Sequence, residues 1–203
     1  SGILAKRTAS STERHLDERK YFARKKPKFL AESFTGADRG TAIHKFLELC
    51  DFKNASSNLE EEKKRLLSNG LITEKELSVL DNSSVEAFFN SDIGKRLVAS
   101  ENIHKEFEFS FLKKAEELYK DISPEIYDEE IVVQGKFDCA FLESDGAVLI
   151  DYKTDKITDE NTLVSIYKGQ LDIYKSALEE CTGVNVKEVY LYSFKLGKFI
   201  KVT

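Results

Sequence analysis

The fold is decided by residues 131–155, IVVQGKFDCAFLESDGAVLIDYKTD. Residues 131–142 and 147–152 are rich in β-branched, aromatic and other apolar side chains, which is typical of strands. The polar triplet Ser144-Asp145-Gly146 between them is typical of a tight hairpin turn. We therefore expect two adjacent antiparallel strands here.

The register of this hairpin determines which side chains share a face. A two-residue type I′ turn at residues 145–146 would place Asp138 opposite Lys153. Because side chains alternate along strands, Asp138, Asp151 and Lys153 would then project from one face. The opposite face would be core, formed by Phe137, Cys139, Phe141, Ile150 and Tyr152. A three-residue loop would invert this arrangement unless a bulge restored it.

Two carboxylates and a lysine on one face are costly unless something compensates them. Carboxylate oxygens suit Mg²⁺, which also retains waters and binds phosphate oxygens. A bound ion would activate water, and a nearby lysine would stabilise developing negative charge. The alternative is an ordinary surface ion pair between Asp151 and Lys153, and the spacing alone leaves both readings open.

The rest of the chain predicts an α/β protein. Residues 11–99 have helical patterns, including a capping box at residues 73–76. Residues 103–203 have strand patterns interrupted by one long helix at 163–181, with Gly183 as its C-terminal cap. A final hairpin is expected around residues 196–197. This order predicts a mixed sheet flanked by helices.

Composition limits the function classes. The chain has 203 residues, of which 41% are hydrophobic and 33% charged, as expected for one globular domain. It has no apolar run of the roughly 20 residues that a membrane helix needs, and no signal peptide is recognisable. The net charge of −5 counts against a nucleic-acid partner, although divalent ions at a carboxylate site would weaken that objection.

The cysteines and the N-terminus carry further expectations. Cys50, Cys139 and Cys181 are far apart and have no metal-finger spacing. An iron–sulfur cluster needs four cysteine ligands, so these three exclude one held within this chain. Each is expected to be a small buried apolar residue in a reducing compartment. Ser1-Gly2 suggests a tag scar, and the absence of Met suggests a piece of a longer polypeptide.

Four short motifs resemble one enzyme family. Residues 135–138 (GKFD) and 149–155 (LIDYKTD) resemble motifs II and III of the RecB-like branch of the PD-(D/E)XK nucleases. Residues 40–44 resemble that branch's G-x-x-x-H motif, and residues 170–174 resemble its Q-x-x-x-Y motif. The resemblance covers about residues 27–203 and is closest to the C-terminal nuclease domain of AddA-type helicase–nucleases. The family's proline is replaced by Phe137.

The resemblance implies a restriction-endonuclease-like fold. Its mixed sheet would be flanked by helices, with a helical part at residues 27–100 and a sheet core at 101–203. Residues 1–26 are expected to form an additional N-terminal helical segment.

The resemblance also implies residue roles. His44, Asp138 and Asp151 would bind the metal, assisted by the backbone carbonyl of Tyr152. Lys153 would position water and stabilise charge. Three further residues would support the site or contact substrate: Gln170, Tyr174 and Glu106. Structural roles remain alternatives for His44, for Gln170 and especially for Glu106.

The implied function is Mg²⁺-dependent cleavage of DNA, with Mn²⁺ or Ca²⁺ able to occupy the site and no iron–sulfur cluster. The expected substrate is single-stranded DNA, supplied by a helicase portion of the same polypeptide. The expected partner is an AddB-like subunit, in double-strand-break repair and recombination in the bacterial cytoplasm, with no membrane association. The rival hypotheses are a stand-alone phage-type exonuclease and a DNA-binding module without catalysis.

Overall fold

The computed structural model describes residues 6–8, 36–118 and 123–202, with the backbone alone at 6–8, 36–38 and 118. Helices fill most of the first half of this part of the chain. The helices of the first half are α1 (Gly36–Leu49), α2 (Phe52–Ser57), α3 (Leu59–Ser68), α4 (Glu74–Leu77), α5 (Asn82–Asn90) and α6 (Asp92–Ala99). The second half adds the short α7 (Ala115–Leu118) and the long α8 (Glu160–Thr182). None of these helices combines the length and apolar character that crossing a bilayer requires.

The short helices of the first half each begin at a side chain that accepts a hydrogen bond from a free backbone N–H of the first turn. The capping residues of α2 to α6 are Asp51, Asn58, Thr73, Asp81 and Ser91. At Thr73 the predicted capping box is confirmed, because Glu76 also binds back to the Thr73 backbone. These caps divide the segment into short helices that can wrap one face of a sheet.

Six strands form one sheet, and its mixed character is as the sequence predicts. They are β1 (Lys6–Thr8), β2 (Ile103–Lys114), β3 (Glu130–Glu143), β4 (Gly146–Lys153), β5 (Val186–Ser193) and β6 (Lys198–Lys201). β3 pairs with antiparallel β2 along one edge, and with parallel β1 and antiparallel β4 along the other. Because α8 crosses between them, β4 and β5 run parallel, and the predicted final hairpin joins β5 to β6.

The sheet separates two apolar cores. One core lies between the sheet and helices α1, α2, α3, α5 and α6, and it contains Phe46, Phe88 and Ile150. The other lies under α8 and contains Leu149 and Leu171. Successive residues of β4 alternate between the two cores, so this strand is covered on both sides.

The hairpin register differs from the predicted one. The turn residues are Ser144 and Asp145, and Gly146 already pairs with Glu143. Gly146 has a φ of 146° and serves a close contact instead, because a Cβ there would lie 2.8 Å from the carbonyl oxygen of Asn185. The turn therefore lies one residue earlier in the chain than predicted. Because both strands shift by one residue, the paired residues keep the predicted alternation between the two faces.

This register also changes the partner of Asp138. The β3–β4 ladder ends at Cys139 opposite Ile150, and the next pair of positions is Asp138 and Asp151. Asp138 is thus aligned with Asp151, and the predicted alignment with Lys153 is wrong. The correction brings the two carboxylates onto neighbouring strands at the same level.

One predicted core residue lies on the other face. Phe137 packs under α8, whereas Cys139 and Phe141 pack against the helices of the first half. The regular alternation of β3 side chains between the two faces of the sheet is therefore interrupted at Asp138. The adjoining residue of β2 is Glu106, whose φ of 48° is outside the strand region and interrupts the regular alternation there.

Three smaller expectations have different outcomes. Gly183 caps α8 with a left-handed φ of 68°, as predicted. Cys181 is exposed, so its predicted burial is wrong, whereas Cys50 and Cys139 are buried. Within the predicted N-terminal helical segment, Lys6–Thr8 form a strand that pairs with β3, and the other residues of that segment lie outside the described part.

An ion-pair network fastens the helical layer to the sheet. Arg96 of α6 lies 2.7 Å from a carboxylate oxygen of Glu143 on β3 and 2.6 Å from one of Glu188 on β5. Lys187 contacts Glu143 as well. The hydrogen bonds from Arg96, followed by those from Lys187, lower the pKa of Glu143 to about 2.

This network predicts a pH-dependent contribution to stability. Because the folded-state pKa of Glu143 lies below its ordinary value of 4.5, the contribution is present above pH 4.5 and is lost as pH falls toward 2. Glu143→Gln should reduce the free energy of unfolding by about 1–2 kcal/mol at pH 7. Urea unfolding should show a smaller difference from wild type at pH 3, while exposed Glu86→Gln should have little effect at either pH. An equal loss for Glu143→Gln at both pH values would contradict this assignment.

Candidate active site

Asp138 and Asp151 stand side by side where β3 and β4 leave their regular ladder. Asp151 is only 2% exposed. Asp138 Oδ2 accepts a hydrogen bond of 2.6 Å from the backbone N–H of Tyr152, which orients its carboxylate. The chain therefore places two acidic groups next to each other in a partly dehydrated position, where both need compensating charge.

His44 of α1 reaches these carboxylates from the helical layer. Its Nδ1 lies 3.2 Å from Asp138 Oδ1 and 3.8 Å from Glu106 Oε1. Gly40 permits this approach, since a Cβ at that position would lie 2.8 Å from the Thr154 hydroxyl oxygen. The G-x-x-x-H spacing thus has a steric basis: the glycine lets α1 lie close to the end of β4, and the histidine follows one turn later.

Glu106 is the third member of this cluster. Its Oε1 is buried and has no hydrogen-bond partner, while Oε2 pairs with Lys136. His44 Nδ1 lies 3.8 Å from this oxygen, which is too far for a hydrogen bond. A buried carboxylate oxygen without a hydrogen bond is expensive, and a nearby cation is the usual compensation. The left-handed backbone of Glu106 is also strained for a residue with a side chain, a condition that is common at functional sites.

His44, Glu106 and Asp138 could hold a metal ion together. Their ligand atoms all lie within 4.8 Å of one another, and they are the one such group among the residues with described side chains. Two carboxylates and an imidazole, with one buried oxygen unsatisfied, fit a divalent cation. Asp151, which the sequence predicts to be a ligand, is not part of this trio, but it lines a cleft that His44 and Asp138 also line.

Lys153 forms a buried contact with Asp151. Its Nζ lies 2.7 Å from Asp151 Oδ2, and its side chain is only 13% exposed. The ammonium also donates to Gln170 Oε1 at 3.0 Å, and Gln170 Nε2 donates to the Tyr174 hydroxyl at 3.0 Å. The ion pair of the alternative reading therefore exists, but it is buried and does not lie at the surface. Of the Q-x-x-x-Y residues of α8, Gln170 contacts Lys153 directly and Tyr174 contacts Gln170.

The charges of the cluster shift two pKa values. Burial lowers the pKa of His44, but the hydrogen bond with Asp138, the contact with Glu106 and the charges of Asp138 and Asp151 outweigh it and raise the value to about 10. Burial, followed by the charge of Asp138, raises the pKa of Asp151 against the opposing effect of Lys153. In the metal-free protein a protonated His44 thus compensates the carboxylates, and a metal ion would take over that role.

Two clefts meet at His44. The first, of about 420 Å³, is lined by residues of β4 and α8 that include Lys153 and Gln170. The second, of about 680 Å³, lies between α1 and strands β2 and β3, and its lining includes Glu106 and Lys136. An extended substrate could lie in both clefts and pass the carboxylates at their junction.

Most of the predicted site residues line the first cleft: His44, Asp138, Asp151, Tyr152, Lys153, Gln170 and Tyr174. Glu106 lines the second cleft, and its side chain belongs to the metal-compatible trio. The sequence reasoning missed Tyr167, Asp155 and Lys136. Only Tyr167 carried a usable signal, because it lies three residues before Gln170 and hence on the same face of α8.

Comparisons with known proteins place this geometry in a family. The sequence profile of the PD-(D/E)XK nuclease superfamily matches residues 15–199, and nucleases of this superfamily use divalent metal ions. An ATP-dependent helicase/nuclease subunit from Clostridium botulinum (strain Langeland) is 39% identical over 183 residues. The corresponding protein of Clostridium acetobutylicum is 40% identical over 188 residues.

These matches cover 88% of the chain but only 14% and 15% of the two relatives. The chain thus spans about one seventh of their length. The solved structure described as "Crystal structure of SSO0001" is 15% identical, with 68% of this chain and 58% of that chain covered and a TM-score of 0.35. The profile match, which covers most of the chain, shows that this protein belongs to the PD-(D/E)XK nuclease superfamily.

Proposed function

We propose that this chain hydrolyses phosphodiester bonds of DNA in a Mg²⁺-dependent reaction, with single-stranded DNA as the preferred substrate. The observation that carries the proposal is the cluster of His44, Glu106 and Asp138, with its unsatisfied buried oxygen, beside the Asp151–Lys153 pair. Oxygen-rich sites of this kind suit Mg²⁺, which keeps several waters and binds phosphate oxygens.

Each side chain has a distinct part in the proposed reaction. Asp138 and Asp151 would hold the cation, and His44 and Glu106 are close enough to Asp138 to complete the site. A bound divalent ion supplies Lewis-acid chemistry, polarising a phosphate and lowering the pKa of a water molecule. The Lys153 ammonium orients that water and stabilises the negative charge that develops on the phosphate oxygens. Hydrolysis then adds the elements of water across one P–O bond.

The wider role rests on the relatives. Both are named as subunits of an ATP-dependent helicase/nuclease and are about seven times as long as the matched segment. A helicase separates strands, so a nuclease domain in the same polypeptide would receive single-stranded DNA. We therefore place this chain in a bacterial helicase–nuclease that works with an AddB-like subunit in double-strand-break repair and recombination.

The clefts are compatible with that substrate. A single strand is flexible enough to bend through the junction at His44, and the two clefts would hold the nucleotides on either side of the scissile phosphate. Lys136 lines the second cleft, and Lys153 lines the first. These cations provide phosphate contacts within a chain whose net charge is negative.

Cleavage of end-labelled DNA tests the proposal. In Mg²⁺ the chain should degrade single-stranded DNA faster than duplex DNA, and EDTA should abolish the activity. Asp138→Asn should be inactive yet folded, because asparagine can still accept the hydrogen bond from the Tyr152 backbone, and remote Glu86→Gln should cleave normally. Cleavage in EDTA, or wild-type rates for Asp138→Asn, would refute the mechanism. DNA binding by the wild type without cleavage would favour the non-catalytic module.

A second test isolates Lys153. Lys153→Gln should lower the single-turnover cleavage rate on the order of a hundredfold to a thousandfold, the usual effect of losing one charge contact in a transition state. Mg²⁺ affinity should change far less, because an ammonium is not a metal ligand. The control is Lys168→Gln on the exposed side of α8. A variant that lost Mg²⁺ binding in proportion to its rate would show that Lys153 acts through the metal site rather than on the substrate.

A further inference from the structure

Lys153 has a third neighbour besides Asp151 and Gln170. Its Nζ lies 3.8 Å from the centroid of the Tyr167 ring, a cation–π distance. Because the lysine side chain is 13% exposed, this contact is largely shielded from water, which strengthens it. Tyr167 itself is partly buried and lines the cleft that contains Lys153.

The Tyr167 ring is in turn fixed from its far end. Its hydroxyl donates a hydrogen bond of 2.7 Å to Asp155 Oδ2. Asp155 lies two residues beyond Lys153, just after the end of β4. The hydrogen bond therefore ties the segment that follows the strand to α8, across the lysine.

We propose that Tyr167 is a positioning residue for Lys153, whose ring holds the ammonium at the reacting phosphate while the bond to Asp155 fixes the ring. The proposal rests on the function proposed above, because the position of the ammonium matters for catalysis only if Lys153 acts on the phosphate. Tyr167 acts through Lys153 and does not itself need to touch the substrate.

Two features make this arrangement effective: the row of side chains on α8 and the flexibility of the lysine side chain. Tyr167, Gln170 and Tyr174 follow at spacings of three and four residues, so they form one row on α8. A lysine side chain is long and flexible, and holding its head in one place costs conformational entropy. Asp151 and Gln170 engage the ammonium as acceptors. The ring restrains it without a strong acceptor of its own, which leaves donor capacity for a phosphate oxygen.

The plain alternative is that Tyr167 only packs against the core. Tyr167→Phe and Tyr167→Leu separate the two readings, because phenylalanine keeps the aromatic face and leucine removes it. Lys168→Ala, at the next and exposed position of α8, is the matched control for changes in the helix.

Single-turnover cleavage of single-stranded DNA in Mg²⁺ is the first measurement. Tyr167→Leu should lose about tenfold in rate, as expected for a shielded cation–π contact, with little change in the KM for DNA. Tyr167→Phe keeps the aromatic face but loses the hydrogen bond to Asp155, so it should lose clearly less rate than Tyr167→Leu. In a Lys153→Gln background, Tyr167→Leu should cause no further loss, because its effect passes through the missing ammonium. An undiminished loss in that background, a loss confined to KM, or a Phe variant as slow as the Leu variant would each overturn the proposal.

A spectroscopic measurement on the metal-free chain is independent of catalysis. The Lys153 ε-methylene protons, close to the face of an aromatic ring, should show an upfield NMR shift in the wild type and in Tyr167→Phe. That shift should disappear in Tyr167→Leu. If the wild type fails to cut DNA, the proposed function is refuted, while this shift still determines whether Tyr167 holds the ammonium. Unshifted protons in the wild type would overturn the positioning role whatever the activity.

Discussion

The alignment of Asp138 with Asp151 on neighbouring strands is the constraint on which the rest of the site depends. Two carboxylates at the same level, one of them almost fully buried, repel each other and lose hydration. Opposite charge must therefore come from nearby. His44 supplies it from the helical layer on one side of the sheet, and Lys153 supplies it from β4 itself, braced by α8 on the other side. The helical layers on both sides of the sheet thus contribute residues to the surroundings of this one pair of carboxylates.

This arrangement explains why distant parts of the chain converge at the end of β4. Gly40 brings α1 close to Thr154, which sets the reach of His44. Glu106 adopts a strained backbone conformation and presents a buried oxygen without a hydrogen-bond partner. Strain and an unsatisfied acceptor are both costs to stability, and they are understandable where a ligand is to be bound.

Much of this could be predicted from the sequence, because the main signals are local. Apolar runs marked β3 and β4, and the parity of a hairpin depends only on counting residues. The turn itself was misplaced because the role of Gly146 depends on Asn185, a residue about forty positions further along the chain. Phe137 is buried as predicted but on the opposite face of the sheet, because the alternation of side chains along β3 is interrupted beside Glu106 on another strand. The contact between Tyr167 and Lys153 joins a helix to a strand, and a pattern of apolar residues along α8 predicts only that the tyrosine faces inward.

The central claim is that Asp138 and Asp151, with His44 and Glu106 nearby, form a divalent-metal site. Anomalous diffraction from crystals of the chain soaked in Mn²⁺, which prefers the same oxygen ligands and can be located by its scattering, tests this most directly. We expect one strong peak within coordination distance of both Asp138 and at least one other member of this set, and no such peak in Asp138→Asn crystals. A peak that lies elsewhere, or one that persists unchanged in Asp138→Asn, would contradict it.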